Sequence, residues 1–152
     1  MINEETQLLM VKQAQDCIEA HAKQAIAVSF IPLVSLPIVY GVCAKMIVKL
    51  DKIYGIPTAK GWDSEIVQDI MAGVIAAPAL AVPFLGAGVA SVFVNSIGKS
   101  YSQAVAAVVS VSTEEERSDG KLVAERVKNE LKKIYAKQRQ ERLERMNNRE
   151  RV

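Results

Sequence analysis

Residues 75–100 read IAAPALAVPFLGAGVASVFVNSIGKS and lie inside a run from Ile70 to Gly98 that holds no charged side chain. Such a run is long enough to span a bilayer and apolar enough to form the centre of a protein core. It leads into Gly98, Lys99 and Ser100, which match the closing letters of a phosphate-binding loop. Three alternatives follow: a nucleotide site, a buried core helix or a membrane segment.

The nucleotide alternative is the weakest because the phosphate-loop motif is incomplete. The pattern G-x-x-x-x-G-K-[ST] would need glycine at position 93, and that position is Phe93. The surrounding residues also have the pattern of one continuous helix, whereas a phosphate loop connects a strand to a helix. The sequence therefore predicts no nucleotide site and no cofactor.

The charged residues are concentrated at the two ends of the chain. Residues 25–112 hold only nine of the 36 Asp, Glu, Lys and Arg residues. Residues 1–24 sum to −2, whereas the segment from Lys121 to the C-terminus sums to +6. We therefore predict a charged amphipathic helix in residues 1–24, an apolar helical domain in residues 25–112 and a charged, basic helical tail in residues 113–152.

Helical periodicity predicts an all-α fold. The N-terminal helix is indicated by a stripe at Leu8, Val11, Gln15, Ile18 and Ala22. Within the apolar domain, a second helix has one face formed by Met46, Ile47, Leu50, Ile53 and Tyr54, and Gly55 is expected to end it. Two proline pairs, Pro32 with Pro37 and Pro78 with Pro83, interrupt the apolar segments and predict helical hairpins built from proline-broken helices.

The helix after Pro83 has small or polar residues at helical spacing. Such residues let another helix backbone approach closely. The predicted helix-packing interface consists of Gly88, Ser91, Asn95, Gly98, Ser102 and Ala106.

The tail begins with a capping box formed by Thr113 and Glu116. A heptad-like set then follows at Ala124, Val127, Leu131, Ile134 and Gln138, and we expect the helix to fray after Gln138. Seven basic residues are predicted to contact lipid or a partner: Lys121, Arg126, Lys128, Lys132, Lys133, Lys137 and Arg139. Such a tail suits anionic lipid, nucleic acid or an acidic protein face, and nucleic acid is the least favoured because Tyr135 is its only aromatic residue.

Catalytic and metal-binding patterns are sparse. Cys17 and His21 have a spacing that can join two metal ligands, but His21 is the only histidine of the chain. Asp63, Glu65 and Asp69 lie near the single tryptophan, and their places at a helix start are explained by capping and by favourable charge in the first turn. The sequence predicts no metal site and no enzyme.

Three segments carry a family resemblance: IPLVSLP (residues 31–37), KMIVKLDKIYGI (45–56) and VPFLGAGVASVFVNSIGKSYSQA (82–104). Over about residues 22–112 their order resembles the small hydrophobic domain of unknown function found C-terminal to Era-like GTPase domains and in the YcjF type of bacterial inner-membrane protein. The resemblance implies membrane association and coupling to a GTPase, and it implies no catalytic residues. The chain has no GTPase domain of its own, so such coupling would act in trans.

Two functional hypotheses follow. In the first, residues 25–48 and 66–112 form a transmembrane hairpin in a bacterial inner membrane, with both basic-rich ends in the cytoplasm. The protein would then anchor or scaffold a cytoplasmic partner. In the alternative, the chain is a soluble, cytoplasmic helical-bundle adaptor that oligomerises through its small-residue helix faces.

Overall fold

The structure is a computed structural model, and it describes residues 3–28, 35–58, 60–71 and 87–150. Six α-helices and no strand are found in these four segments. Their bounds are α1 Glu4–Val28, α2 Ser35–Tyr54, α3 Trp62–Met71, α4 Ala87–Val111, α5 Glu114–Ser118 and α6 Gly120–Glu150. The predicted all-α fold is confirmed for the described part of the chain.

Two glycines shape the connection between α2 and α3. α2 ends at Tyr54 as predicted, and Gly55 follows with a φ of +67°. Gly61 has a φ of +80° directly before Trp62 opens α3. Both values lie in the left-handed region, which glycine adopts without the steric cost of a Cβ atom. Trp62 then lies close to the end of α2, because its indole N–H and Asp51 both bond to the Tyr101 hydroxyl.

Two caps reverse the chain between α4 and α6. The predicted capping box is confirmed: the Thr113 hydroxyl accepts the Glu116 N–H at 3.3 Å, and the Thr113 N–H donates to the Glu116 carboxylate at 3.0 Å. The Asp119 carboxylate then accepts the backbone N–H groups of Lys121 and Leu122 at 3.0 and 3.1 Å. These bonds satisfy donors that a helix start leaves open, so α6 begins directly after α5.

α4 is the central helix of the fold. α1, α2 and α6 all pack against it, while α3 packs against α2. Because α4 meets three neighbours, its buried residues are not confined to one stripe. They include Ala90, Phe93, Val94, Ile97, Tyr101, Ala104, Val105, Val108 and Val109. The uncharged stretch that ends at Gly98 therefore contains the first half of a core helix.

The buried face of α1 differs from the predicted stripe in its first half. Ile18 and Ala22 are buried as predicted, but Leu8 and Val11 are 73% and 51% exposed and Gln15 is exposed as well. The face that meets the core consists of Ala14, Ile18, His21, Ala22 and Ala25. The alanines of this face let α1 approach α4 closely. With this face turned toward the core, the larger Leu8 and Val11 point toward solvent.

α6 also departs from the prediction. Its buried residues are Val123, Val127, Leu131 and Tyr135, which step by four. Of the predicted set, Val127 and Leu131 are buried, Ala124 and Ile134 are partly buried against the core, and Gln138 is exposed. The helix continues to Glu150, and the expected fraying after Gln138 is therefore wrong. Long, unbranched side chains dominate this segment and favour helix, which explains the continuation.

The transmembrane hairpin is wrong. No helix in the described residues combines the length and the low charge that crossing a bilayer requires. α2 carries Lys45, Lys49, Asp51 and Lys52, and α4 has Lys99, Asn95, Gln103 and five serines among its 25 residues. Membrane anchoring through residues 25–48 and 66–112 is therefore withdrawn. Pro32, Pro78 and Pro83 lie outside the described residues, so the prediction of proline-broken hairpins is not tested.

Candidate interaction surface

α6 has an inner half that packs against the core and an outer half that does not. Val127, Leu131 and Tyr135 of the inner half are buried against the rest of the fold. From Ala136 to Arg149 every residue is exposed, although the helix is continuous. At 1.5 Å per residue this outer half extends about 20 Å. A side-chain bond from Gln140 to Glu144, 3.1 Å long, supports it along its own length.

The outer half of α6 carries an apolar pair with arginines beside it. Leu143 and Met146 are each 54% exposed and, three residues apart, lie on one face of the helix. Helical spacing places Arg139, Arg142 and Arg149 on or beside the same face. We call these five residues the α6 strip. Glu141 and Glu144 fall on the opposite side of the helix, so the α6 strip is basic around an apolar centre.

α1 carries an exposed strip of opposite charge. Glu4, Leu8, Val11, Gln15 and Glu19 step by four, three, four and four, so they line one face, and all five are exposed. We call them the α1 strip. It has an apolar pair in its first half and a carboxylate at each end. α1 as a whole carries four acidic and two basic residues.

A groove runs beside the α1 strip, between α1 and α4. Its larger part has a volume of about 370 Å³ and is bounded by Val11, Glu19, Lys99 and Ala106, among others. A smaller part of about 130 Å³ continues the groove past Val11 and Ala106 toward Val109. Apolar atoms therefore form much of the wall, with charged groups at the rim.

Two of the six residues predicted to form a helix-packing interface, Gly98 and Ser102, contact other helices of the same chain. A Cβ atom built on Gly98 would lie 2.7 Å from Cγ1 of Ile18 and 2.9 Å from Sδ of Met46, so α1 and α2 both press against this glycine. The Ser102 hydroxyl is hydrogen bonded to Tyr54 of α2 at 2.7 Å. Asn95 and Ala106 lie beside α1 in the groove, Ser91 is half-buried, and Gly88 lies in the first turn of α4.

Two of the seven predicted contact residues, Arg126 and Lys128, are partly buried and pair with carboxylates of other helices in the chain. Arg126 pairs with Glu116 at 2.6 Å and donates to the Ser112 hydroxyl at 3.1 Å. The bond from Arg126 lowers the pKa of Glu116 to about 2. Lys128 pairs closely with Asp69 and lies 3.5 Å from Glu65.

The other five predicted contact residues, Lys121, Lys132, Lys133, Lys137 and Arg139, are exposed. Lys133 pairs with Glu130 on the surface at 3.0 Å.

A buried polar cluster joins α2, α3 and α4. The Tyr101 hydroxyl donates to Asp51 at 2.7 Å, Thr58 donates to the other oxygen of Asp51 at 2.8 Å, and the Trp62 indole N–H donates to Tyr101 at 2.9 Å. Asp51 is only 1% exposed. Burial raises the pKa of this carboxyl to about 6, and the two hydroxyl bonds offset part of the rise. The cluster uses neutral donors to hold a carboxyl in the core.

The residues weighed for metal binding occupy separate places. His21 is buried and its Nδ1 lies 2.7 Å from the carbonyl oxygen of Cys17, so the ring is fixed to its own helix. Burial raises the pKa of the Cys17 thiol. In the described segments, no three His, Cys, Asp or Glu side chains are grouped as a metal ion would require. Gly98, Lys99 and Ser100 lie within α4.

Comparison of the chain with protein-family models, with curated proteins and with solved structures finds no match. The resemblance to domains linked to Era-like GTPases therefore stays a prediction.

Two features of the surface were missed by the sequence reasoning. Leu143 and Met146 were passed over because almost every residue around them is charged or an amide. Their three-residue spacing beside arginines is the signal that could have identified them. The exposure of Leu8 and Val11 had no such signal, because both continue an apolar stripe that is buried farther along α1.

Proposed function

We propose that the chain is a non-enzymatic helical adaptor that binds another polypeptide through the outer half of α6. The observation that carries this proposal is the exposure of every residue from Ala136 to Arg149 on a helix whose inner half is firmly packed. The bundle of α1, α2 and α4 serves as the rigid support for this helix.

The support holds the helix in position before a partner arrives. Tyr135 is buried at the boundary between the halves, and the Gln138 amide donates to the Ser100 hydroxyl of α4 at 3.4 Å. A helix that is already formed and anchored loses less conformational entropy on binding than a disordered segment does. The outer half is therefore suited to bind as a helix, with its apolar pair placed against an apolar groove.

The chemistry of the α6 strip indicates the kind of surface it fits. Leu143 and Met146 supply apolar contact, and Met adapts to irregular surfaces because it is unbranched and polarizable. Arginines beside them can form paired hydrogen bonds with carboxylates. The expected partner surface is an apolar groove or helix face with Asp or Glu at its edges.

Site-specific photo-crosslinking tests this proposal. A photo-reactive residue at position 143 should form discrete adducts with a polypeptide in a native extract. The same residue at position 45, where Lys45 is exposed on α2, serves as the control and should not. The double variant Arg139→Glu/Arg142→Glu should reduce the adduct formed at position 143 several-fold. Adducts no stronger than those at position 45, or adducts lost after nuclease treatment, would contradict the proposal.

A further inference from the structure

We infer that the outer half of α6 binds the α1 strip and the adjoining groove of a second copy of this chain. The inference rests on the proposed function, because it names the partner of the same helix. It is carried by complementary charge and by the directions in which α1 and α6 run along α4.

The two strips are complementary in both apolar spacing and charge. Leu8 and Val11 are three residues apart on α1, and Leu143 and Met146 are three residues apart on α6. On α1 the apolar pair lies between Glu4 and Glu19, whereas on α6 it lies among arginines. Helices that meet along such faces bury both apolar pairs and place guanidinium groups near carboxylates.

α6 runs antiparallel to α4, and this direction fixes where its outer half lies. Arg126 contacts Ser112 at one end of the pairing, and Gln138 contacts Ser100 farther along. For each residue gained along α6, the contact moves back by one along α4. If α6 continues in the same register, Leu143 lies level with residue 95 of α4.

α1 also runs antiparallel to α4, but its exposed apolar pair lies toward the opposite end. Ile18 contacts Gly98, and Val11 shares the groove with Ala106. In this register Leu8 lies level with residue 108 of α4. Leu8 and Leu143 of one chain are therefore separated by about 20 Å along α4, and α6 points away from Leu8. The apolar pair of the α6 strip can reach the apolar pair of an α1 strip only on another molecule.

Reciprocal contact between two copies gives a closed dimer. If the α6 strip of one copy contacts the α1 strip of the other, a two-fold axis makes the reverse contact identical. The association then closes at two chains.

Charge reversal followed by sedimentation velocity tests the pairing. The full chain should sediment as a dimer. Arg139→Glu/Arg142→Glu and Glu4→Lys/Glu19→Lys should each shift it to the monomer, and the four substitutions in one chain should restore the dimer. Lys133→Glu/Lys137→Glu is the matched control, because it makes the same charge change away from the α6 strip and should leave the dimer intact. Circular dichroism verifies that each variant keeps its helical content.

Disulfide crosslinking identifies the surfaces directly. On a Cys17→Ser background, a chain carrying Leu8→Cys is mixed with a chain carrying Leu143→Cys, and the mixture should form the heterodimeric disulfide. Replacing Leu8→Cys with Lys45→Cys should abolish that product.

A monomer at every concentration, a dimer without the Leu8–Leu143 disulfide, or charge reversals that do not restore association would overturn the inference. If the chain is monomeric while position 143 still crosslinks to a different polypeptide, the inference fails and the proposed function stands. If both results are negative, both fail.

Discussion

Replacing Gly98 with alanine destabilises the fold by about 1–3 kcal/mol, the range typical of inserting a methyl group into a filled core. The added Cβ would lie within 3 Å of Cγ1 and Cγ2 of Ile18 and of Sδ of Met46. Met46 can move its sulfur, but Ile18 is branched at Cβ and has little rotamer freedom in a helix. α1 must therefore shift away from α4. Chemical denaturation of the Gly98→Ala variant measures the loss.

The control for this substitution is Gly41, which lies in α2, where a built Cβ would meet nothing within 4 Å apart from its chain neighbours and the local backbone of α2. Gly41→Ala should be neutral or stabilise the protein by up to about 1 kcal/mol, because alanine favours helix over glycine. Adding Ile18→Ala to Gly98→Ala removes both obstructing γ carbons of residue 18, so the double variant should lose less stability than the two single losses combined. Equal effects at Gly98 and Gly41 would contradict close packing of α1 against Gly98.

Replacing Asp51 with asparagine stabilises the protein by about 2–3 kcal/mol above pH 7. Burial raises the pKa of this carboxyl from 3.8 to about 6, so the native state binds the proton more tightly than the unfolded state does. The favourable contribution of the neutral acid is fully present below about pH 4, and it is lost as the pH rises through about 6. Each pKa unit corresponds to about 1.4 kcal/mol, which gives the size of the effect.

Asparagine can keep both hydrogen bonds of Asp51. Its carbonyl oxygen accepts the Tyr101 hydroxyl, and its amide group donates to Thr58 after the Thr58 hydroxyl rotates. Denaturant unfolding at a series of pH values should show that wild type loses stability relative to Asp51→Asn between about pH 4 and pH 6. Asp51→Ala is the contrasting variant, because it leaves Tyr101 and Thr58 without their acceptor and should destabilise the protein. A stability difference between wild type and Asp51→Asn that does not change with pH would contradict the account.

The helical elements could be predicted because their signals are local. Glycine after Tyr54, the capping box at Thr113 and the apolar face of α2 each depend on neighbouring residues. These features appear in the structure at the expected positions. Local chemistry was thus sufficient for the helix type and for several helix ends.

The environment of those helices could not be predicted in the same way. A bilayer and a protein core both accept the uncharged residues of α4, and periodicity does not distinguish them. Contacts between distant residues identify α4 as a core helix. Gly98, for example, contacts Ile18, which is eighty residues earlier in the chain. The buried cluster of Asp51, Trp62 and Tyr101 also joins distant residues, and no sequence motif predicts it.

Of the seven predicted contact residues, only Arg139 belongs to the proposed α6 strip. The basic tail carries the proposed contact, but Arg126 and Lys128 are held by Glu116 and Asp69 inside the chain. Charge alone does not reveal which basic residues have an intramolecular partner. Exposure of Leu143 and Met146 became evident only when the buried row of α6 was seen to end at Tyr135.

Hydrogen–deuterium exchange of the full chain at low and high protein concentration tests most directly whether the outer half of α6 is free in one molecule and bound by a second. Amides of residues 123–135 should be protected at both concentrations, because their side chains pack against the core. Amides of residues 139–149 should exchange faster than those of residues 123–135 in the dilute sample and should gain protection in the concentrated one. Protection of residues 139–149 that equals that of residues 123–135 at both concentrations, or that is absent at both, would contradict the account.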